Sequence, residues 1–241
     1  MLSIIIPTLN EENYLPLLLE SIKKQCFFDY EIIVADGGSK DKTIEIAQKH
    51  GCRIAPGGLP AKGRNNGAKI AKGNLLFFCD ADVILPDNFF NNALTEFKER
   101  KLDLTSFCLM PVPYSKKAVF LLNIFYNYWI ILLEKFLARA SIVILIKEEL
   151  FNKIGGFDES IKLGEDHYLA KCAQKIKGVK WGILRSTKIF VSDRRFRSDG
   201  WLKVWSKYFL CEVQTFFNGP VRTDIFKYKF DDQYKNKKSK I

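Results

Sequence analysis

An α/β fold with a mostly parallel central sheet and helices on both faces is what this sequence predicts. Three observations carry that reading. Short apolar runs alternate with amphipathic segments from the first residues onward. The apolar runs end in small polar turns such as Asp36-Gly37-Gly38-Ser39, which suit strand-to-helix crossovers. Apolar residues make up 47% of the chain, enough for a sheet covered on both sides. At 241 residues the chain is long for one domain and short for two, so one enlarged domain is expected.

The elements follow in order. Residues 2–6 read as a buried strand that Pro7 stops. Residues 13–24 place Leu15, Leu18, Leu19 and Ile22 at helical spacing. A second strand is expected over 31–35, a helix over 43–50 and a short strand over 53–55. Residues 61–72 look helical, with Gly73 as the cap. A fourth strand over 75–79 ends at Asp80-Ala81-Asp82. A helix over 87–100 and a strand over 103–109 complete the first half.

Residues 118–146 are apolar but broken by Asn123, Asn127, Glu134, Lys135 and Arg139. A lone membrane-spanning helix needs about 20 apolar residues, and this stretch lacks them. Asn123, Asn127 and Glu134 fall on one narrow helical stripe, so the rest of the surface is to be buried in protein or in a membrane interface. Residues 141–146 read as a strand and 148–154 as a short helix before Gly155-Gly156. Residues 199–217 form a helix with Trp201, Trp205, Tyr208, Phe209, Val213 and Phe216 on one side. A lysine-rich tail follows from Lys227.

Lys and Arg (38) exceed Asp and Glu (27), for a formal net charge of +11. Such an excess points to a polyanionic partner: nucleic acid, an anionic membrane or a phosphorylated substrate. The six cysteines form no C-x-x-C pair, and most sit in apolar runs. They read as reduced thiols of a cytoplasmic protein, not as a disulfide frame or zinc site. The first apolar stretch is too short, and lacks the basic segment, for a signal peptide.

In parallel sheets ligands bind beyond the carboxyl ends of the strands, so the polar residues there are the candidates for chemistry. Asp80 and Asp82 crowd one spot after a buried strand. Paired carboxylates suit a hard divalent ion that also holds substrate phosphates; a solvated acidic turn is the plain alternative. Asp36 can accept hydrogen bonds from a base or ribose, or simply belong to a turn capped by Ser39 or Asp41. Pro7-Thr8-Leu9-Asn10-Glu11-Glu12 follows the first strand, where a capped helix start would look the same. Lys62 and Arg64 bring cations to the same edge, for a diphosphate or for a solvated helix face. Glu165-Asp166 opens a further helix, as carboxylate base or as helix-dipole partner. His50 and His167 are read as structural.

The order of these motifs is more specific than any one of them. PTLNEE at Pro7, DGGSKDKT at Asp36, AKGRNNGAKIAKGNLLFFCDADV from Ala61, GGFDE at Gly155 and GEDHYL at Gly164 follow one another through residues 1–172. This set closely resembles the family-2 inverting glycosyltransferases, whose catalytic domain has the GT-A fold. The resemblance implies a catalytic domain over 1–218, with a nucleotide-binding part (1–110) and an acceptor part (111–218), ahead of a basic tail (219–241). It implies that Pro7, Thr8 and Glu11 line the nucleoside pocket and that Asp36 contacts the base. Arg64 would lie near the nucleotide, and Asp80 would hold the ribose or the metal-bound diphosphate. Asp82 would be the main protein ligand of Mg²⁺ or Mn²⁺. Asp166, paired with Glu165 at the substrate, would be the base that deprotonates the acceptor. The donor would be a UDP- or GDP-sugar and the acceptor a glycan or lipid-linked hydroxyl or phosphate.

The pattern departs from the family in two places. It has neither the late histidine metal ligand nor the Q-x-x-R-W acceptor motif of many relatives. In their place Ser192-Asp193-Arg194-Arg195 follows an apolar strand, where Asp193 would serve the metal and Arg194 or Arg195 the diphosphate; a basic surface loop is the alternative. The missing acceptor motif argues against a processive synthase. The aromatic and basic helices suggest peripheral contact with the cytoplasmic face of a membrane, against a core or dimer-interface role. Competing functions are a nucleotidyltransferase of related fold, whose glycine-rich start is missing, and a non-catalytic nucleotide-sugar binder. Nucleic-acid binding finds no supporting motif.

Overall fold

The run Leu2–Thr8 (β1) buries Ile4, Ile5 and Ile6 completely, as a strand covered on both faces must. The computed structural model describes residues 1–113, 115–140, 142–192 and 200–223. Side chains alternate along the strand. Ile4 and Ile6 therefore enter one core with Leu15, Leu18 and Phe77, and Ile5 enters a second with Ile33 and Phe78. Helices α1 (Leu15–Lys23) and α4 (Phe89–Glu99) cover the first core. Helices α3 (Pro60–Ile70), α7 (Glu148–Ile154) and α8 (Glu165–Gln174) cover the second. The expected three layers are present.

Strands β2 (Tyr30–Asp36), β3 (Arg53–Pro56) and β4 (Leu75–Phe78) join β1 in parallel, in the order β3-β2-β1-β4. Helix α2 (Thr43–Lys49) links β2 to β3. The chain thus winds outward from β1 to β3 and then returns to β1's other side. The loops at the carboxyl ends of β1 and β4 part there, at a topological switch point. The second half runs β7 (Ile144–Lys147), β6 (Leu104–Val112), β8 (Trp181–Ser192) and β5 (Val83–Ile84). Here β7 is antiparallel to both β4 and β6, and β5 to β8, while β6 and β8 are parallel.

The structure moves several expected boundaries, each for a physical reason. Pro7 does not stop β1, which continues through Thr8. Its missing N–H faces the β4 side, where pairing ends at Ile5 and Phe78, so no ladder bond is lost. Helix α3 ends at Ile70, and Gly73 is not its cap. A Cβ on Gly73 would fall 2.7 Å from the Ser3 backbone nitrogen, so the glycine serves a close approach to β1. The strand predicted to end at residue 109 runs on to Val112. Ser141, the expected start of β7, lies outside the described residues, and the strand begins at Ile144.

The broken apolar stretch becomes α5 (Lys116–Leu122), a π-helical turn (Asn123–Asn127) and α6 (Tyr128–Leu132). Its polar stripe faces the protein. The Asn127 amide brackets Leu109 of β6, accepting from its N–H at 2.9 Å and donating to its carbonyl at 2.9 Å. Glu134 accepts from Arg100 at 2.5 Å, Arg185 at 2.7 Å and the Ile183 N–H at 3.0 Å. Burial alone would raise the Glu134 carboxyl, but these donors hold it below its usual range. The C-terminal helix α9 (Trp201–Asn218) starts two residues later than expected, Asp199 lying outside the described residues along with the tail from Lys227. No helix among the described residues is long and apolar enough to cross a membrane.

Helix α3 packs close to the sheet because Gly67 lacks a side chain. A Cβ there would overlap the Ile5 Cγ2 methyl. Ile5 is fully buried and β-branched, so it has no room to yield. Gly67→Ala is accordingly expected to lower stability by about 1–3 kcal/mol, the usual range for overpacking. Urea unfolding measures it, and an unchanged midpoint would mean that α3 is not pinned to β1.

Candidate functional site

At the carboxyl ends of β1 and β2, two loops are tied into one platform. Asn10, in a left-handed conformation (φ 55°), donates its N–H to Ser39 Oγ at 2.8 Å. Its Oδ1 accepts from the Lys40 N–H at 2.8 Å. The Glu11 N–H donates to Thr43 Oγ1 at 2.7 Å. Asp36 stands at the centre. Its carboxylate accepts from the Thr8 hydroxyl at 3.1 Å, from the Gly38 and Ser39 N–H groups at 2.9 and 2.8 Å, and from the Ser39 hydroxyl. Four donors fill a carboxylate's usual capacity. Asp36 therefore shapes the loop from within, and Thr8, buried beside it, does the same.

Gly57 and Gly58 complete this corner, although neither belongs to one of the sequence motifs. The Gly57 N–H donates to the Asp36 carbonyl at 2.7 Å, and a Cβ on Gly57 would overlap the Asp36 backbone. The signal was present as a glycine pair directly after the third apolar run. Next to it, Gly63 brings the start of α3 against Pro7, with its Cβ position 3.3 Å from the proline's. Lys62 is exposed and lies over Gly58.

Arg64, two residues after Lys62 in α3, is only 4% exposed. Its Nη2 donates to Asp80 at 2.8 Å and its Nη1 to Glu165 at 2.6 Å. The Phe157 ring lies 5.4 Å from the guanidinium carbon. Burial opposes the charged form, but Asp80, Glu165 and Asp166 together hold Arg64 protonated. The sequence offered Arg64 as a diphosphate contact or a solvated helix residue. The structure gives it to carboxylates from two other segments. Asn65 extends the join: its amide donates to the Phe157 carbonyl and accepts from the Phe157 N–H, at 2.9 and 2.8 Å.

Among the described residues, Arg64 faces more carboxylates than it can neutralise. Burial, and then the Asp82 and Glu165 charges, outweigh Arg64 at Asp80 and push its carboxyl up to about 6. Such an excess of hard oxygen donors fits a divalent cation held jointly with phosphate oxygens. Among the described residues no group of three or more acidic, histidine or cysteine side chains is arranged as a closed metal cage. Asp80 and Asp82 fit an open site of the kind that a substrate completes.

Asp166 lies in the first turn of α8, after Gly164 in a left-handed conformation (φ 83°). The His167 N–H donates to its Oδ1 at 2.8 Å. Glu165, its neighbour, is 12% exposed and locked on Arg64. At the other side of the cleft, the Ser192 N–H donates to the Asp82 carbonyl at 3.2 Å, so β8 ends beside the acidic turn. Asp193, Arg194 and Arg195, which follow in sequence, lie outside the described residues. The structure thus brings Arg64, Asp80, Asp82, Glu165 and Asp166 together, and sets Pro7, Thr8, Glu11 and Asp36 on the adjoining platform.

A model of the family described as glycosyl transferase family 2 matches residues 3–147, which hold every element from β1 to β7. The uncharacterized glycosyltransferase EpsJ of Bacillus subtilis is 33% identical over 112 residues, covering 43% of this chain and 32% of EpsJ. The match thus spans about a third of that relative's own length. Among solved structures, Staphylococcus aureus TarS 1–349 in complex with UDP-GlcNAc superposes with a TM-score of 0.62 at 23% identity, over 79% of this chain and 58% of that one. The mannosyltransferase PcManGT of Pyrobaculum calidifontis, in complex with GDP-Man and Mn²⁺, gives 0.70 at 18% identity, over 91% and 65%. These likenesses establish the GT-A fold.

Asp80 makes stability depend on pH in a specific direction. Its folded carboxyl titrates at about 6 instead of 3.8, so folding favours the protonated form. That contribution is complete below the lower value and lost as pH rises through the upper one. The stability of the wild type relative to Asp80→Asn is therefore expected to fall over this window. Urea melts at stepped pH test it; a difference that stays flat would mean that the neighbouring carboxylates do not press on Asp80.

Proposed function

The chain belongs to glycosyl transferase family 2, and from that premise we propose that it moves a sugar from a nucleoside diphosphate to an acceptor hydroxyl or phosphate, by a single inverting displacement. The observation that carries the reading is the division of labour within Glu165-Asp166. Glu165 is engaged by Arg64. Asp166 spends one oxygen on the His167 N–H, and its other oxygen takes no hydrogen bond among the described residues. Of the pair, Asp166 is the one available to accept a proton.

The roles follow from position. Pro7, Thr8 and Glu11 lie on the platform that would receive the nucleoside, with Asp36 bracing it beneath the base. Asp80 and Asp82 would hold Mg²⁺ or Mn²⁺, which when bound would neutralise charge developing on the departing diphosphate. Arg64 positions Asp80 and Glu165 from behind. Arg195 is assigned to the diphosphate on its sequence alone. An acceptor hydroxyl is a weak nucleophile, and Asp166 would take its proton as it attacks the anomeric carbon. The nucleoside diphosphate leaves from the opposite face. One displacement inverts that centre and needs no second carboxylate nucleophile. Residues 1–110 would bind the donor and residues 111–218 the acceptor. TarS was solved with UDP-GlcNAc and PcManGT with GDP-Man, which supports a UDP- or GDP-sugar as donor. A glycan or lipid-linked acceptor is the matching class.

Two variants test this. With a panel of UDP-, GDP- and dTDP-sugars, one donor is expected to raise the melting temperature in a manganese-dependent way, and Asp82→Ala to abolish the manganese dependence. Asp166→Asn should keep donor binding and lose at least about 100-fold in turnover, the range of general-base catalysis. Undiminished turnover in Asp166→Asn would reject the base assignment. Donor binding with no transfer to any acceptor by the wild type would favour a nucleotide-sugar binder.

A further inference from the structure

The segment from α5 to α6 has its amphipathic order reversed for a helix packed on a protein. Its polar residues Asn127 and Glu134 point inward, fixed by Leu109, Arg100 and Arg185. Leu122 and Ile130 are buried, but many of its large apolar residues point outward. Phe120, Phe125, Tyr128, Trp129, Leu132 and Phe136 are all exposed, Trp129 by 51% and Phe136 by 80%. The polar stripe is committed to β6 and β8, so rotation cannot hide this face. Helix α9 widens it. The Phe125 and Trp205 rings lie 5.5 Å apart, and beyond them Phe209, Leu210 and Phe217 are exposed as well. Six exposed large apolar side chains on one short segment mark an interaction site.

Charge identifies the partner. Exposed lysines flank the apolar stripe at both ends, Lys116 and Lys117 before it and Lys135 within its last turn, with Lys203 on α9. The only carboxylate between residues 116 and 139 is Glu134, and it is buried against two arginines. The outward face is therefore apolar, aromatic and cationic. A symmetric dimer would lay these lysines against themselves, since a twofold interface joins a patch to its own copy. An anionic bilayer pairs with them instead, and tryptophan, tyrosine and lysine suit its headgroup region. We propose that this face docks on an anionic lipid surface, with α5, α6 and α9 lying in the interface plane.

The placement relates this face to the acidic site. Val112 of β6 pairs with Ser192 of β8, whose N–H binds the Asp82 carbonyl. Helix α5 leaves the sheet just after Val112, at the same end as the carboxylates. A surface held there would bring lipid-borne acceptors to the acceptor side of the cleft. The docking itself does not depend on the transferase reading and is tested without any donor.

The experiment is flotation of the full chain with phosphatidylcholine vesicles, alone or mixed with phosphatidylglycerol, at low and high salt. The chain is expected to float with the anionic vesicles at least about tenfold more than with the neutral ones, and less at high salt. Trp129→Ser combined with Phe136→Ser should cut flotation about tenfold or more, as lost interfacial burial predicts. Lys116→Gln with Lys117→Gln and Lys135→Gln should remove the preference for anionic lipid. Circular dichroism and melting temperature establish that each variant folds. A wild type that stays with the soluble fraction at low salt overturns the proposal, as does a folded aromatic variant that floats as well as the wild type. A dimer seen by light scattering that the aromatic variant dissolves would instead make a second copy the occupant.

Discussion

The buried guanidinium of Arg64 is what the rest of the site depends on. It joins three parts of the chain that share no local sequence: helix α3, the acidic turn after β4 and the start of α8. Its charge is affordable inside the protein only because both partners are ionic and close. Remove it, and Asp80 and Glu165 lose their counter-ion next to Asp82 and Asp166. Among the described residues, negative charge remains in excess around Arg64, and that excess favours a cation. Structure and chemistry thus share one cause here.

Much of the fold was legible in the residues. Buried parallel strands announce themselves as near-continuous apolar runs, and Leu2–Thr8, broken only by Ser3 before its last residue, and Leu75–Phe78 are such runs. Boundaries were harder, because they are set by partners and not by propensity. Pro7 reads as a breaker, yet it sits where the neighbouring strand has already ended. Gly73 reads as a cap, yet it is there to let one backbone pass another. Neither fact exists in a single segment of sequence.

The site divides in the same way. Motif order located the carboxylates and the platform, since residue type and distance from a strand end are one-dimensional facts. It did not show which groups face inward. Arg64 and Asp36 both look like ligand contacts in the sequence, and both are engaged by neighbours: Arg64 by Asp80 and Glu165, Asp36 by Thr8, Gly38 and Ser39. Gly57 is not legible as a site residue because its role is to be thin, and thinness matters only where another backbone segment lies beneath. The inverted helix face shows the reverse case. The stripe of Asn123, Asn127 and Glu134 was visible in the periodicity, but the direction it faces was not.

The partners of Arg64 also lie at very different distances along the chain, 16 residues away for Asp80 and 101 for Glu165. A ribosome delivers the first with its own strand and the second much later. Until α8 emerges, the growing chain holds a cation whose second counter-ion does not yet exist. The strands β1 to β4 can pair before then, because all four have been made, but the interior beside Arg64 cannot close. The same ion pairs that organise the cleft therefore make the N-terminal half wait for the C-terminal one, so the carboxylate cluster is complete only once α8 has been made.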